Sequence, residues 1–276
     1  MPLIGMAGST MMMAHWMIAM KAAVNNGFEA FELFAEFPQC VCDEVTEKQR
    51  KEGRALVESS GIALAVHAPF NSLNIAALNP GVRRESIKQE KDAVDLCADL
   101  GGKVVVVHNG EYITSERLRK KVPQAGKIQW DHNIEALKEI ASHAKERGVI
   151  LALENIGFEI EHMDRNVDDM LKIKEEVDEP ALAFCLDIGH ARLNKELPEA
   201  IEKMGPHTAH IHFTDNFGEK DDHVIIGKGN FDYSPHLEFF KSFPHIMTLE
   251  VVVVGTDPTP AIKSSDNIKK ILKLQR

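Results

Sequence analysis

The chain of 276 residues is 44% hydrophobic and 27% charged, so it can bury a sizeable core as one large domain or two small ones. Its formal charge of -10 and pI near 5.7 give no broad electrostatic footprint for nucleic acid. Its four cysteines, Cys40, Cys42, Cys97 and Cys185, are too few and too scattered for a disulfide framework, and a Cys-x-Cys pair is not the usual zinc spacing, so a reducing cytoplasm is expected.

The N-terminal stretch MPLIGMAGSTMMMAHWMIAMK is methionine-rich, but no basic segment precedes its apolar run and Ser9, Thr10 and His15 interrupt it, so no secretory signal is expected. No apolar run approaches the ~20 residues of a membrane helix. Eight short apolar or β-branched runs then recur in order: PLIGMAG (2–8), FEAFELFA (28–35), IALAVHAPF (62–70), KVVVVHNG (103–110), VILALENIG (149–157), LAFCLDIGH (182–190), HTAHIHFTD (207–215) and IMTLEVVVV (246–254). Between them lie segments whose apolar residues recur three and four apart, such as TEKQRKEGRALVESSG and GVRRESIKQEKDAVDLCADLGG. Asn79 and Pro80 introduce the second as helix cap and first-turn proline, and glycine closes it. This alternation predicts parallel strands with helical crossovers, and its size matches one (β/α)8 TIM barrel spanning 1–276.

In such a barrel the chemistry sits at the C-terminal ends of the strands. Seven of the eight runs carry an acid or histidine there: Glu32, His67, His108, Glu154, Asp187 with His190, His212, and Glu250. An ionisable group ending an apolar strand is costly to bury unless it is paired or bound to metal. His15, His143 and His236 read as surface or satisfied core and are assigned no role, and His207 is similar. His210 shares a face with His212 but lies deeper, so His212 is preferred. Glu32 divides evenly between a substrate-side role and capping a neighbouring loop, and it is left off the metal set. Asp187 and His190 form Asp-x-x-His, whose plain alternative is an aspartate capping the next helix. Asp215 and Asn216 end the seventh run; beyond them, Asp221 and His223 form an Asp-x-His that an extended segment would present on one side. Gly218, Gly227 and Gly229 predict a mobile loop closing over the barrel mouth. Mixed imidazole and carboxylate ligands suit zinc, manganese, cobalt or iron, and a carboxylate-dominated subset also takes magnesium.

These motifs, VHAPF with His67, VVVHNG with His108, LENIG with Glu154, LDIGH with Asp187 and His190, HFTDN with His212, DDHVIIGKG with Asp221 and His223, and TLEV with Glu250, resemble the xylose isomerase-like barrels, which include the endonuclease IV type of AP endonuclease. In the isomerase and epimerase branch the resemblance implies one divalent metal (Mn, Co, Mg or Zn) on Glu154, Asp187, His212 and Glu250. Glu154 and Glu250 would then be the proton-exchanging pair, with His67, His108, His190, Asp221 and His223 touching a sugar, polyol or sugar phosphate. In the endonuclease branch all nine positions bind a zinc cluster that hydrolyses a phosphodiester. A barrel that keeps metal and sugar but has lost turnover is the third alternative. Two departures favour the isomerase branch: the run NIGFEI after Glu154 differs from the endonuclease pattern, and the loop FAEFPQCVCDE holds no arginine to press into a damaged duplex.

Overall fold

The structure is a computed structural model and describes residues 1–113, 115–156, 163–164 and 166–273. Each apolar run contains a strand: β1 (Leu3–Ala7), β2 (Ala30–Phe34), β3 (Ala63–His67), β4 (Val104–Val107), β5 (Ile150–Glu154), β6 (Leu182–Asp187), β7 (Thr208–Phe213) and β8 (Ile246–Leu249). All neighbours pair parallel in sequence order, and β1 pairs with β8 to close the barrel. Helices follow the strands: α1 (Trp16–Asn25), α2 (Glu47–Ser60), α3 (Pro80–Leu100), α4 (Glu116–Lys121), α5 (Pro123–Glu146), α6 (Val167–Val177), α7 (Ile188–Leu193), α8 (Leu197–Lys203), α9 (Leu237–Ser242) and α10 (Thr259–Ile271). No helix among the described residues is long and apolar enough to cross a membrane.

Local chemistry sets the helix ends. Thr46 and Gln49 form a reciprocal capping box at the start of α2. Asn79 Oδ1 accepts from the Gly81 amide at 2.8 Å, Pro80 opens α3, and Gly101 ends it in the left-handed region at φ 88°.

Strand side chains alternate, and here the alternation does two jobs. Outward residues such as Phe31, Leu153, Phe184, Leu186, Ile211 and Phe213 join the main core between barrel and helices. The inward residues Ala30, Ala65, Val104, Val106, Ala152, Cys185 and Ile246 form a separate small-residue plug in the barrel interior. Two residues further along several of the same strands, the inward positions become Glu32, His67, His108, Glu154, Asp187, His212 and Thr248. The plug therefore carries a ring of polar groups at the C-terminal end.

Phe213, fully buried, stacks on Tyr233 at 4.9 Å and meets Phe240 edge-on at 5.1 Å between ring centroids. Truncation to alanine leaves a cavity that these rings cannot refill. Phe213→Ala is expected to cost about 3–5 kcal/mol, read as a lowered urea midpoint at unchanged slope.

Candidate active site and metal centre

Glu154 is the hub. Its Oε1 lies 3.0 Å from His212 Nδ1 and 3.5 Å from His190 Nδ1, and its Oε2 lies 3.2 Å from His108 Nε2 and 3.4 Å from His67 Nε2. His212 Nδ1 also faces Glu250 Oε2 at 3.3 Å and Asp187 Oδ2 at 4.0 Å. Among the described residues five groups of donors are each close enough to share one ion: three are built from the residues singled out in the sequence, namely Glu154, Asp187, His212 and Glu250; His67, His108 and Glu154; and His190, Asp221 and His223; the other two are Glu32, His210 and His212, and Glu154, Cys185 and His212. All nine residues singled out in the sequence thus meet at one barrel mouth. The first group fits a divalent cation on two counts. It offers three carboxylates and one imidazole, and Asp187 Oδ2 and Glu250 Oε2 are buried atoms without a hydrogen-bond partner.

Below that layer, Glu32 bonds His212 Nε2 at 3.2 Å and His210 Nε2 at 2.6 Å, and Thr248 Oγ1 donates to it at 3.3 Å. Glu32 therefore shows neither of the two roles expected for it, substrate side or loop cap; it holds the His212 imidazole from behind, the position an outer partner takes wherever a histidine binds metal. The loop-capping role belongs to Glu36, which the sequence reading passed over. Its Oε1 accepts from the amides of Phe70 at 2.7 Å and Asn71 at 2.6 Å.

Two further expectations are refined. Asp187 does cap α7, its Oδ1 accepting from the His190 amide at 2.8 Å, and its other oxygen is left without a hydrogen-bond partner beside the His212 ring, so capping does not use up the carboxylate. Asp221 and His223 do meet, His223 Nε2 lying 2.7 Å from Asp221 Oδ2, but the segment is not extended: His223 is left-handed at φ 44°. The loop carrying them is pinned rather than free. Asp215 Oδ2 accepts from the amides of Gly227 at 2.8 Å and Gly229 at 3.0 Å, and Arg192 donates to the Asn216 carbonyl at 2.9 Å. A side chain at Gly229 would overlap Asp215 and the Asn216 carbonyl, so glycine serves close packing of the loop on itself. Of the run NIGFEI, Gly157–Ile160 lie outside the described residues.

Charge balance follows from this packing. Burial would raise the Glu154 carboxyl, but His212 and the hydrogen bonds from His108 and His67 hold it well below the usual range. Burial opposes charge on His212 too, yet the facing carboxylates raise it well above an ordinary histidine. Burial lifts Asp187 to about 6 even against His190. For His108, burial outweighs Glu154 and lowers the pKa, leaving a neutral ring. His223 rises to about 9 because Glu250 and Asp221 overcome its burial.

The site opens into a cavity of about 290 Å³. Its lining combines Glu154, Glu250, Asp221 and four histidines with apolar side chains, including Met12, Phe34, Phe37, Phe70, Leu193 and Val252. No lysine or arginine lines it among the described residues. Phe70 lies against the His108 ring at 4.6 Å between centroids.

A family model described as a xylose isomerase-like TIM barrel matches residues 20–271. An uncharacterized protein of Methanocaldococcus jannaschii is 29% identical over 259 residues, covering 93% of this chain and 84% of its own length. A probable endonuclease 4 of Mycobacterium tuberculosis is 26% identical over 219 residues, 76% of this chain and 80% of that protein. Among solved structures, a D-tagatose 3-epimerase-like protein superposes with a TM-score of 0.83 at 26% identity, covering 98% of this chain and 97% of its own.

Proposed function

The chain belongs to the xylose isomerase-like TIM barrel family, and from that premise we propose that it is a divalent-metal-dependent isomerase or epimerase of an uncharged sugar or polyol. The observation that carries this reading is the cavity itself: two carboxylates, Glu154 and Glu250, beside a set of cation ligands, with apolar side chains in the rest of the lining and no lysine or arginine among the described residues that line it. The similarity to a D-tagatose 3-epimerase-like protein supports it. A cation held by Glu154, Asp187, His212 and Glu250 would polarise neighbouring substrate oxygens and acidify the C–H between them. Glu154, fixed by its histidines, and Glu250, reaching in from beyond β8, approach the reacting carbon from different strands; one removes the proton and the other returns it. His67, His108, His190, Asp221 and His223 bind the sugar hydroxyls, and the apolar side chains take its C–H face.

A second reading, zinc-dependent phosphodiester hydrolysis, is favoured by one observation: the nine donors form three groups, two of which share Glu154, as a multi-metal site requires. One experiment separates the two. The purified protein, loaded with manganese, cobalt, magnesium or zinc, is incubated in deuterated water with a panel of ketoses and, in parallel, with a duplex carrying an abasic site. Deuterium uptake into a sugar, about one metal per chain, and metal retained in His108→Ala are expected. Strand cleavage without any sugar exchange, with close to three zincs lost together in His108→Ala, would replace the isomerase with the nuclease.

A further inference from the structure

A second cavity, also of about 290 Å³, adjoins the first. Its walls are the β3–α3 loop from Phe70 to Ile75, Glu90 of α3, and the residues following β4. Phe70, Asn71 and His108 line both cavities, so the two spaces share a border at the stacked Phe70 and His108 rings.

Glu90 makes this cavity more than a packing gap. It is only 5% exposed, it lines the space, and its Oε2 has no hydrogen-bond partner. A buried carboxyl left unsatisfied costs free energy that a ligand hydroxyl would offset. Burial alone pushes its pKa well above the carboxylate range, so it is a neutral acid able both to donate and to accept. Ser72, in the same lining, sits in the left-handed region at φ 63°, a conformation costly for serine, in a loop whose start Glu36 holds by its amides. No lysine or arginine lines the cavity among the described residues, so it offers an anionic group neither of those cations. What it offers is two acids, Glu90 and Glu111, the Ser72 hydroxyl, the amides of Asn71, Asn74 and Asn109, and the Phe70 ring, the set that binds a polyhydroxylated ring.

We infer that this cavity is a subsite for a second, uncharged sugar unit: the substrate is a glycoside or disaccharide whose reacting unit lies between Glu154 and Glu250 and whose neighbouring unit rests against Phe70, Ser72 and Glu90. This rests on the isomerase reading. It does not alter the roles given to Glu154 and Glu250.

The test compares manganese-loaded protein acting on D-fructose and on maltulose in deuterated water, and measures maltose binding to the metal-free protein by calorimetry. Maltulose is expected to show the higher kcat/KM. Glu90→Met, which removes the hydrogen-bonding atoms at similar size, should lower the maltulose-to-fructose ratio by about tenfold, the worth of one well-made hydrogen bond, and Ser72→Trp at its exposed position, which fills the space, should lower it at least as far; both should weaken maltose binding in step. Should Glu90→Met fold poorly, Ser72→Trp carries the test alone. Exchange into fructose with an unchanged ratio in the variants, or no maltose binding, would remove the subsite while leaving the isomerase intact. Maltose binding that Ser72→Trp abolishes, with no exchange into either sugar, would keep the subsite and remove the isomerase.

Discussion

Glu154→Gln is expected to lower turnover by roughly 10²–10⁴-fold, the range in which a positioned acid or base contributes. The residue is fully enclosed and touches His212, His108, His67 and His190, so the loss has two sources. Glutamine keeps the size but cannot take up a proton, and it removes one of the three negative charges in the proposed metal group. Glu250→Gln should give a similar fall in kcat, since Glu250 is the other carboxylate at the cavity. Metal content tells the sources apart: a Glu250→Gln protein that keeps its metal but loses deuterium exchange places the defect in proton transfer. Unchanged turnover in either variant would exclude that carboxylate from the reaction.

Metal uptake is expected to rise with pH and to weaken sharply in Asp187→Asn. In the metal-free fold Asp187 holds its proton up to about 6 and His212 holds one well above the ordinary histidine value, so a cation must displace both. The sign for stability follows from the same shifts. Both pKa values are raised on folding, so the stability these groups contribute is greatest at low pH and is lost as pH rises, for Asp187 from its ordinary value of 3.8 through about 6 and for His212 above 6.5. Glu154 and Glu32 act oppositely: their lowered values give stability above about 4.5 that disappears in acid. The thermal midpoint of metal-free protein should therefore fall as pH rises above 6.5, where His212 gives up its proton less readily in the folded chain than in the unfolded one. Manganese at 1,000 times its dissociation constant should restore about 4 kcal/mol. Asp187→Asn should lose more affinity than the about 10–100-fold typical of an outer partner. Calorimetric titration from pH 5 to 8 checks both, and a flat profile in the wild-type protein would contradict the assignment.

The barrel was legible because each strand is a short apolar run and seven of the eight runs carry an acid or histidine at or just past the strand's end, a pattern read without any tertiary information. His67, Glu154, Asp187 and His212 are the last or next-to-last residues of their strands, and the alternation that hides Leu153, Leu186 and Ile211 turns their neighbours inward. What escaped notice depends on contacts between distant segments. Glu32 looked like a strand-end acid, yet its partners are 178 and 180 residues away on β7, and only barrel closure brings them within reach. Glu36 sits in an acidic loop with no periodicity to mark it. The glycines after β7 suggested mobility because sequence shows their freedom but not the Asp215 carboxylate that uses it up.

The inward and outward alternation has a consequence for which errors the gene can tolerate. Along β7, His210 and His212 alternate with Ala209, Ile211 and Phe213, and a slip of one residue exchanges the two sets. A single-codon insertion within that strand would push Phe213 toward the Glu154 carboxylate and a histidine into the oily layer beneath the helices, so fold and chemistry would fail in one event. A substitution can damage either one alone. Length changes are thus filtered out of the strands far more severely than replacements, while the loops beyond them stay open to new lengths and so to new substrates.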